Sequence, residues 1–207
     1  MMPGQQLVLS TPRAAPCRPL KLGLEPVHAT HPARAEFEAF IATRYRLAYG
    51  ARITHFLPHL LGVRNRLIEW QAGAGYAAAA AARTLFLERY LDCPVERAIA
   101  AACGRPVARA GIVEVGNLAS VSAGMARSLI PALAVHLDRL GYAWVTFTAT
   151  RALRNTFHRL GLQPLKLSAA DPARLEDGGA SWGNYYGHDP LVVACKISQG
   201  LRAWGYA

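Results

Sequence analysis

Residues 113–150 read VEVGNLASVSAGMARSLIPALAVHLDRLGYAWVTFTAT, and this stretch decides the fold. The alternation over 110–118 predicts a strand, and the β-rich run 142–148 predicts a second one. Between them, 124–140 places leucine, isoleucine and alanine on one helical face and is followed by Gly141, a typical helix C-terminal cap. A strand–helix–strand unit of this kind is typical of an α/β layer with parallel strands.

The flanking segments extend this pattern. A helix over 151–160 and a short strand over 165–167 continue the alternation and again predict parallel pairing. Residues 1–19 hold four prolines and show no periodicity, which predicts a flexible N-terminal arm before a single domain over 20–207. The other predicted elements are a strand at 21–27, a helix at 33–49, a hairpin of 60–63 with 67–76, helices at 85–91 and 95–103, and a last strand at 191–197.

Composition limits the classes of function. Hydrophobic residues make up 52% of the chain and charged residues 17%, which excludes a disordered protein. The net charge of +10 favours an anionic partner, which leaves nucleic acid, an anionic membrane surface or a phosphate-bearing acyl donor open, beside a merely solvated basic surface. No run approaches the roughly 18 apolar residues of a spanning helix, and the four cysteines are scattered. We therefore expect a reduced, cytoplasmic protein.

Two features of 113–126 are candidates for chemistry. Small residues at the start of the predicted helix leave backbone N–H groups accessible to a phosphate, although they also permit close helix packing. Glu114 lies in an otherwise apolar strand, where it either deprotonates an attacking amine or has a structural role, facing an edge of the sheet or paired with an arginine. No metal site is expected, because Pro58 disrupts any helix that would bring His55 and His59 together.

A set of ordered segments resembles a known family. VEVGNLAS, AGMARSLIPAL, GYAWVTFTAT, LRNTFHRLGLQPLKL, ADPARLED and WGNYYGHDP are similar to segments of the thermostable hemolysin family, whose members resemble acyltransferases of the GNAT superfamily. The resemblance covers roughly residues 37–200 and is dense after Glu114. It implies an α/β (α+β) fold with a central mixed, twisted sheet and helices on both faces.

The resemblance also implies roles for particular residues. Glu114 resembles the glutamate of the central strand in acyl-homoserine-lactone synthases and is expected to be the catalytic base, whereas Asn117 replaces their arginine. In the GNAT phosphate loop Gly124 and Ala126 match, while Val121 replaces the leading polar residue. The expected donor-binding residues are Val115, Gly116, Asn117, Ser122, Gly124, Ala126, Thr148 and Asn155. The expected substrate-pocket residues are Glu88, Trp182 and Tyr185.

Several of these residues also have plain structural interpretations. Asn155 fits an exposed helix position, and Thr148 fits a helix cap. Glu88 or Tyr90 can face an amine pocket, yet the helical spacing of Phe86 and Tyr90 is typical of a core. Trp182 and Tyr185 can stack on a ligand or simply cover the core.

The expected function is N-acyl transfer from a thioester to an amine such as an amino acid. The donor would be an acyl-carrier-protein or coenzyme A thioester, with no tightly bound cofactor, and backbone N–H groups near Val115 and Gly116 would polarise its carbonyl. The alternative is a membrane-active, hemolysin-like protein without transferase activity, which would use the helix at 33–49 to contact lipid. Nucleic-acid binding is not expected, because no recognised motif accompanies the charge. The oligomeric state remains open.

Overall fold

A computed structural model describes residues 22–206, so the expected arm at 1–19 lies outside the described residues. The centre of the protein is a seven-stranded sheet in the order β1-β2-β3-β4-β5-β7-β6. Every neighbouring pair is antiparallel except β4 with β5, which is parallel, so the sheet is mixed as expected. The strands are β1 Glu25–Val27, β2 His59–Arg64, β3 Trp70–Ala78, β4 Ile112–Ser120, β5 Trp144–Ala149, β6 Leu165–Ala169 and β7 Leu191–Lys196.

Five α-helices cover the two faces of the sheet. On one face, α1 buries Phe37 and Ile41 and α2 buries Val95 and Ile99. On the other face, α3, α4 and α5 share one apolar core with β4 and β5. The helices are α1 Arg34–Tyr49, α2 Val95–Cys103, α3 Ala123–Arg139, α4 Arg151–Arg159 and α5 Ile197–Ala203.

The predicted parallel layer is correct for one pair of strands and wrong beyond it. β4 and β5 are parallel and joined by α3, but β7 lies between β5 and β6 and pairs antiparallel with both. The short strand after α4, β6, therefore does not pair with β5. The alternation of elements alone does not reveal this, because β7 comes from the far end of the chain.

Two helix predictions also differ from the structure. The helix expected at 85–91 is a 3-10 turn, Phe86–Tyr90, whose first two backbone N–H groups donate to the Glu114 carboxylate. After β7 the chain forms α5 at 197–203, a helix that the sequence did not predict. The segment is short and contains Gly200, and glycine disfavours a helix, so its helical pattern is weak.

The helix that the membrane-active alternative requires is α1, and its apolar side already packs on the sheet. Phe37 and Ile41 are fully buried there, against Leu60 and Trp70. Within residues 22–206, no helix combines the length and the apolar character needed to cross a membrane.

Candidate active site

A gap in the sheet separates the outer ends of β4 and β5. The two strands pair at only three positions, of which the last joins Glu114 to Thr146, although β4 continues to Ser120 and β5 to Ala149. Beyond Gly116, β4 has one more residue than β3 in the corresponding stretch, which is a β-bulge. Bulges bend a strand and increase its twist, and this one lies where β4 parts from β5.

Asn117 forms the bulge and also tethers a loop. Its φ of 51° is left-handed, a conformation that asparagine tolerates better than most residues. Its Oδ1 accepts the N–H of Leu57 at 2.9 Å, and its Nδ2 donates to the carbonyl oxygen of His55 at 3.1 Å. The amide expected to contact a donor therefore fixes the loop that carries His55.

Glu114 lies one residue before the gap, on the face opposite α3. Side chains alternate along a strand, so Val113 and Val115 pack in the α3 layer while Glu114 is directed to the other face. The carboxylate is 4% exposed and accepts the N–H groups of Phe86 at 2.9 Å and Leu87 at 3.0 Å. Both hydrogen-bond partners of the carboxylate are therefore backbone N–H groups. Within the described residues, no arginine donates to it.

The surroundings of Glu114 make its carboxyl group a weak acid. Burial raises its pKa to about 7, since desolvation of the carboxylate outweighs the two hydrogen bonds from Leu87 and Phe86. Such a group is partly ionised at neutral pH and can accept a proton from a reacting amine. A pKa near the working pH is the condition under which general-base catalysis is most efficient.

Glu114 lines a small cavity of about 60 Å³ with aromatic walls, here called the cup. Trp182 and Tyr185, the predicted substrate-pocket residues, both line it. Tyr185 Oη donates to the carbonyl oxygen of Thr148 at 3.5 Å, and burial keeps its pKa well above the ordinary value. The cup therefore combines one carboxylate with phenols that stay protonated. Its lining residues are Tyr45, His55, Leu57, Phe86, Tyr90, Glu114, Val115, Gly116, Asn117, Thr148, Trp182 and Tyr185.

A second cavity of about 350 Å³ lies on the other side of the gap, under α3, α4 and α5. Its walls are mainly alkyl and aromatic, and they include Leu133, Phe147 and Phe157. The two cavities share five lining residues at the gap. These are Tyr45, Val115, Gly116, Thr148 and Tyr185.

The predicted phosphate loop lies at the outer end of this larger cavity. Ser122 caps α3, because its Oγ accepts the N–H of Met125 at 3.2 Å. Gly124 is exposed in the first turn of the helix, and Ala126 lines the cavity. Unpaired N–H groups at a helix start favour a phosphate, so a donor entering here would meet them before it reaches the gap.

Two predicted site residues lie elsewhere. Asn155 is exposed on α4, and the side of α4 that lines the larger cavity carries Thr156 and Phe157 instead. Glu88 belongs to a separate ion-pair cluster with Arg109 and lines neither cavity. The structure thus brings Glu114, Val115, Gly116, Asn117, Thr148, Trp182 and Tyr185 together, with Ser122, Gly124 and Ala126 at the outer end of the larger cavity.

The Glu88 cluster supports the turn that holds Glu114. Glu88 accepts the N–H groups of Leu85 at 2.7 Å and Val95 at 2.8 Å, and both of its oxygens accept from Arg109. Burial alone would raise the pKa of Glu88, but these hydrogen bonds, above all that from Arg109, hold it below the ordinary value. Arg109 also donates to Glu96 at 2.8 Å. The 3-10 turn 86–90 is therefore anchored at its start, next to the N–H groups that Glu114 accepts.

Sequence reasoning missed some of the residues around Glu114. Tyr45 belongs to α1 and His55 to the following loop, and neither is near 113–150 in the chain. Tyr45 repeats the spacing of Phe37 and Ile41, so its pattern is that of a core residue. Arg109 belongs to no motif, and a single arginine before a strand gives no signal of its partners.

Metal ions in proteins are commonly held by His, Cys, Asp and Glu side chains. Within the described part of the chain, His, Cys, Asp and Glu side chains do not form a group of three or more that could hold an ion.

Three solved structures share this fold with the chain. The acyl-homoserine lactone synthase LasI superposes with a TM-score of 0.60 at 9% identity, over 88% of this chain and 94% of that chain. FeeM, an N-acyl amino acid synthase from uncultured soil microbes, gives 0.59 at 15% identity, over 86% and 98%. MesI, a CoA-dependent acyl-homoserine lactone synthase, gives 0.53 at 17% identity, over 89% and 96%. At these identities the likeness establishes the fold alone.

The sequence itself establishes the family. Among curated proteins, no sequence matches the chain significantly. The family model described as thermostable hemolysin matches residues 27–201, which includes both cavities apart from Trp204. The chain therefore belongs to the thermostable hemolysin family.

Proposed function

We propose that this protein is an N-acyltransferase that moves an acyl group from a thioester to a small amine. The observation that carries the proposal is the gap between β4 and β5, where a cup with one buried carboxylate meets a larger apolar cavity. An amine in the cup and a thioester in the cavity would meet through this gap. The fold shared with LasI, FeeM and MesI is consistent with this arrangement.

Glu114 is the proposed base. The amine nitrogen attacks the thioester carbonyl carbon and loses a proton to the Glu114 carboxylate, directly or through one water. The backbone N–H groups of Val115 and Gly116, beyond the last pairing with β5, are the candidates for stabilising the negative charge on the carbonyl oxygen. The C–N bond forms and the C–S bond breaks, which yields an amide and a thiolate.

Tyr185 is the proposed hydrogen-bond donor to the departing thiolate. It lines both cavities, and burial keeps its hydroxyl protonated. After release the thiolate takes a proton from solvent and Glu114 gives the proton it accepted to solvent, so the site returns to its starting state.

The donor is proposed to be an acyl-carrier-protein or coenzyme A thioester. The net charge of +10 would attract either anionic partner, and the start of α3 offers N–H groups to a phosphate of the donor. MesI is described as CoA-dependent, and FeeM as forming N-acyl amino acids. We extend these substrate classes to this chain as the first to be tested.

The test is mass spectrometry of the purified protein with a pool of acyl-carrier-protein and coenzyme A thioesters and a pool of amino acids and other amines. We expect new acyl-amide masses that fall by about 10²- to 10⁴-fold in Glu114→Gln, since a positioned base contributes that much. Glu176→Gln is the matched control, because Glu176 is 94% exposed and lines neither cavity.

Each outcome has a distinct meaning. If the folded native protein forms no amide from any donor, the proposed function is wrong. If amides form equally well with Glu114→Gln, the transferase stands and the base is another group.

A further inference from the structure

The larger cavity is long, and α5 lines the end away from the gap. Along α3 its walls extend from Ala123 to Leu137, which spans about 21 Å at the rise of an α-helix. Thr148 marks the end at the gap. Val145 and Cys195, which pair with each other on β5 and β7, mark the inner end. The cavity therefore leads away from the gap, under the helices, toward the C-terminal segment.

Trp204 forms part of the inner wall, and two features hold its ring in place. Its Nε1 donates to the carbonyl oxygen of Leu160 at 2.9 Å, which connects the end of α5 to the end of α4. Gly200 lies beneath the ring, and a Cβ at that position would come within 3.0 Å of it. Glycine weakens a helix relative to alanine, so the close approach of the indole gives a physical reason for glycine at this position.

We propose that Trp204 limits the length of the acyl group that the protein accepts, and that the preferred donors carry unbranched acyl chains of medium length. This inference rests on the proposed function, in which the thioester lies at the gap. From there the apolar cavity is the space open to an alkyl chain, and the indole lines its far end.

The volume gives an approximate chain length. An apolar protein cavity of about 150 Å³ holds benzene, which has six carbons, so a cavity of 350 Å³ holds roughly fourteen carbon-sized groups. The thioester end of the donor takes some of this space. An acyl chain of roughly ten carbons then fills the remainder, and longer chains meet the indole.

The direct test is calorimetry without amine, using a series of acyl N-acetylcysteamine thioesters from butanoyl to hexadecanoyl. We expect the affinity to rise about fourfold per methylene until the chain reaches the wall, and then to fall. Trp204→Ala should move the optimum to longer chains by roughly four carbons. Tyr206→Ala is the control, since Tyr206 is exposed two residues further on and does not line the cavity.

A labelling experiment keeps the proposal testable if Trp204→Ala fails to fold. A decanoyl thioester with a diazirine at the end of its chain should crosslink the native protein within residues 197–204. Crosslinks confined to residues near the gap would overturn the proposal, as would an unchanged optimum in a folded Trp204→Ala variant.

The two proposals can fail separately. Length-dependent binding without amide formation would contradict the transferase and leave the role of Trp204 intact. Amide formation with the same length preference in native protein and Trp204→Ala would contradict the role of Trp204 alone.

Discussion

The two cavities that meet at the gap differ in almost every physical respect. The cup is about 60 Å³, has aromatic walls and contains the buried carboxylate of Glu114, whereas the larger cavity is about 350 Å³ and mainly alkyl. The cup depends on a network of hydrogen bonds, and the larger cavity depends on the packing of helices on the sheet. If the proposed function is correct, the cup should select the amine by its chemistry and the larger cavity should select the acyl group by its length and shape, and each side can be tested separately.

The largest effect is expected from filling the larger cavity. Ala134 of α3 lines it, so Ala134→Phe would occupy space that we assign to the acyl chain. Transfer of a decanoyl group should fall by about 100-fold or more, because several methylenes lose their apolar contacts at roughly 0.8 kcal/mol each. Transfer of an acetyl group should change little. Kinetics with both donors check this, with Ala101→Phe on the exposed side of α2 as the control.

The next largest effect concerns pH and the cup. Glu114 accepts a proton only when ionised, and burial raises its pKa to about 7. We therefore expect kcat/KM to fall about tenfold per pH unit below pH 7. The folded state also keeps a proton that the unfolded chain loses near pH 4.5, so this group's contribution to the free energy of unfolding decreases as pH rises from about 4.5 to 7. A rate that stays constant down to pH 5 would contradict the assignment of Glu114.

A smaller effect on the cup is expected from its supporting cluster. Arg109→Gln leaves the nearly buried Glu88 without its ionic partner, which should lower the free energy of unfolding by about 3 kcal/mol. Loosening of the turn 86–90 should weaken the two hydrogen bonds to Glu114 and raise its pKa above about 7. Urea unfolding and a ¹³C NMR titration of Glu114 measure the two effects.

A surface variant provides the comparison for Arg109. Arg151→Gln breaks an exposed ion pair with Asp189 at 3.9 Å, far from the turn 86–90 in the chain, so it should change stability by less than about 0.5 kcal/mol. If Arg109→Gln lowers stability but leaves the pKa of Glu114 unchanged, the cluster stabilises the fold without tuning the site.

The smallest effect is expected at the rim of the cup. Asn117→Gly keeps a residue that tolerates positive φ but removes both tethers to the loop at 55–57, which should cost about 1–2 kcal/mol of stability. The KM for the amine should rise a few-fold, because His55 is held less firmly. Asn155→Ala, at an exposed position on α4, should leave both quantities unchanged; a clear loss of activity there would restore Asn155 to the site.

The sequence predicted the local elements well. Strong periodicity located α1 to α4 within one or two residues, and the family resemblance identified the region around Glu114. The sequence did not predict the order of β5, β7 and β6, since that order depends on contacts between distant segments. It also grouped Glu88 with the cup, because chain proximity to Phe86 and Tyr90 does not reveal that its side chain turns toward Arg109.

The three paired positions between β4 and β5 also divide the backbone into two units. β1 to β4 form one antiparallel set and β5 to β7 another, and the short parallel seam is the direct sheet connection between them. Cooperative units of native proteins open independently where few interactions join them. Amide hydrogens in the two sets should therefore exchange with solvent as two distinct groups, and a molecule bridging the gap should slow the exchange of both together.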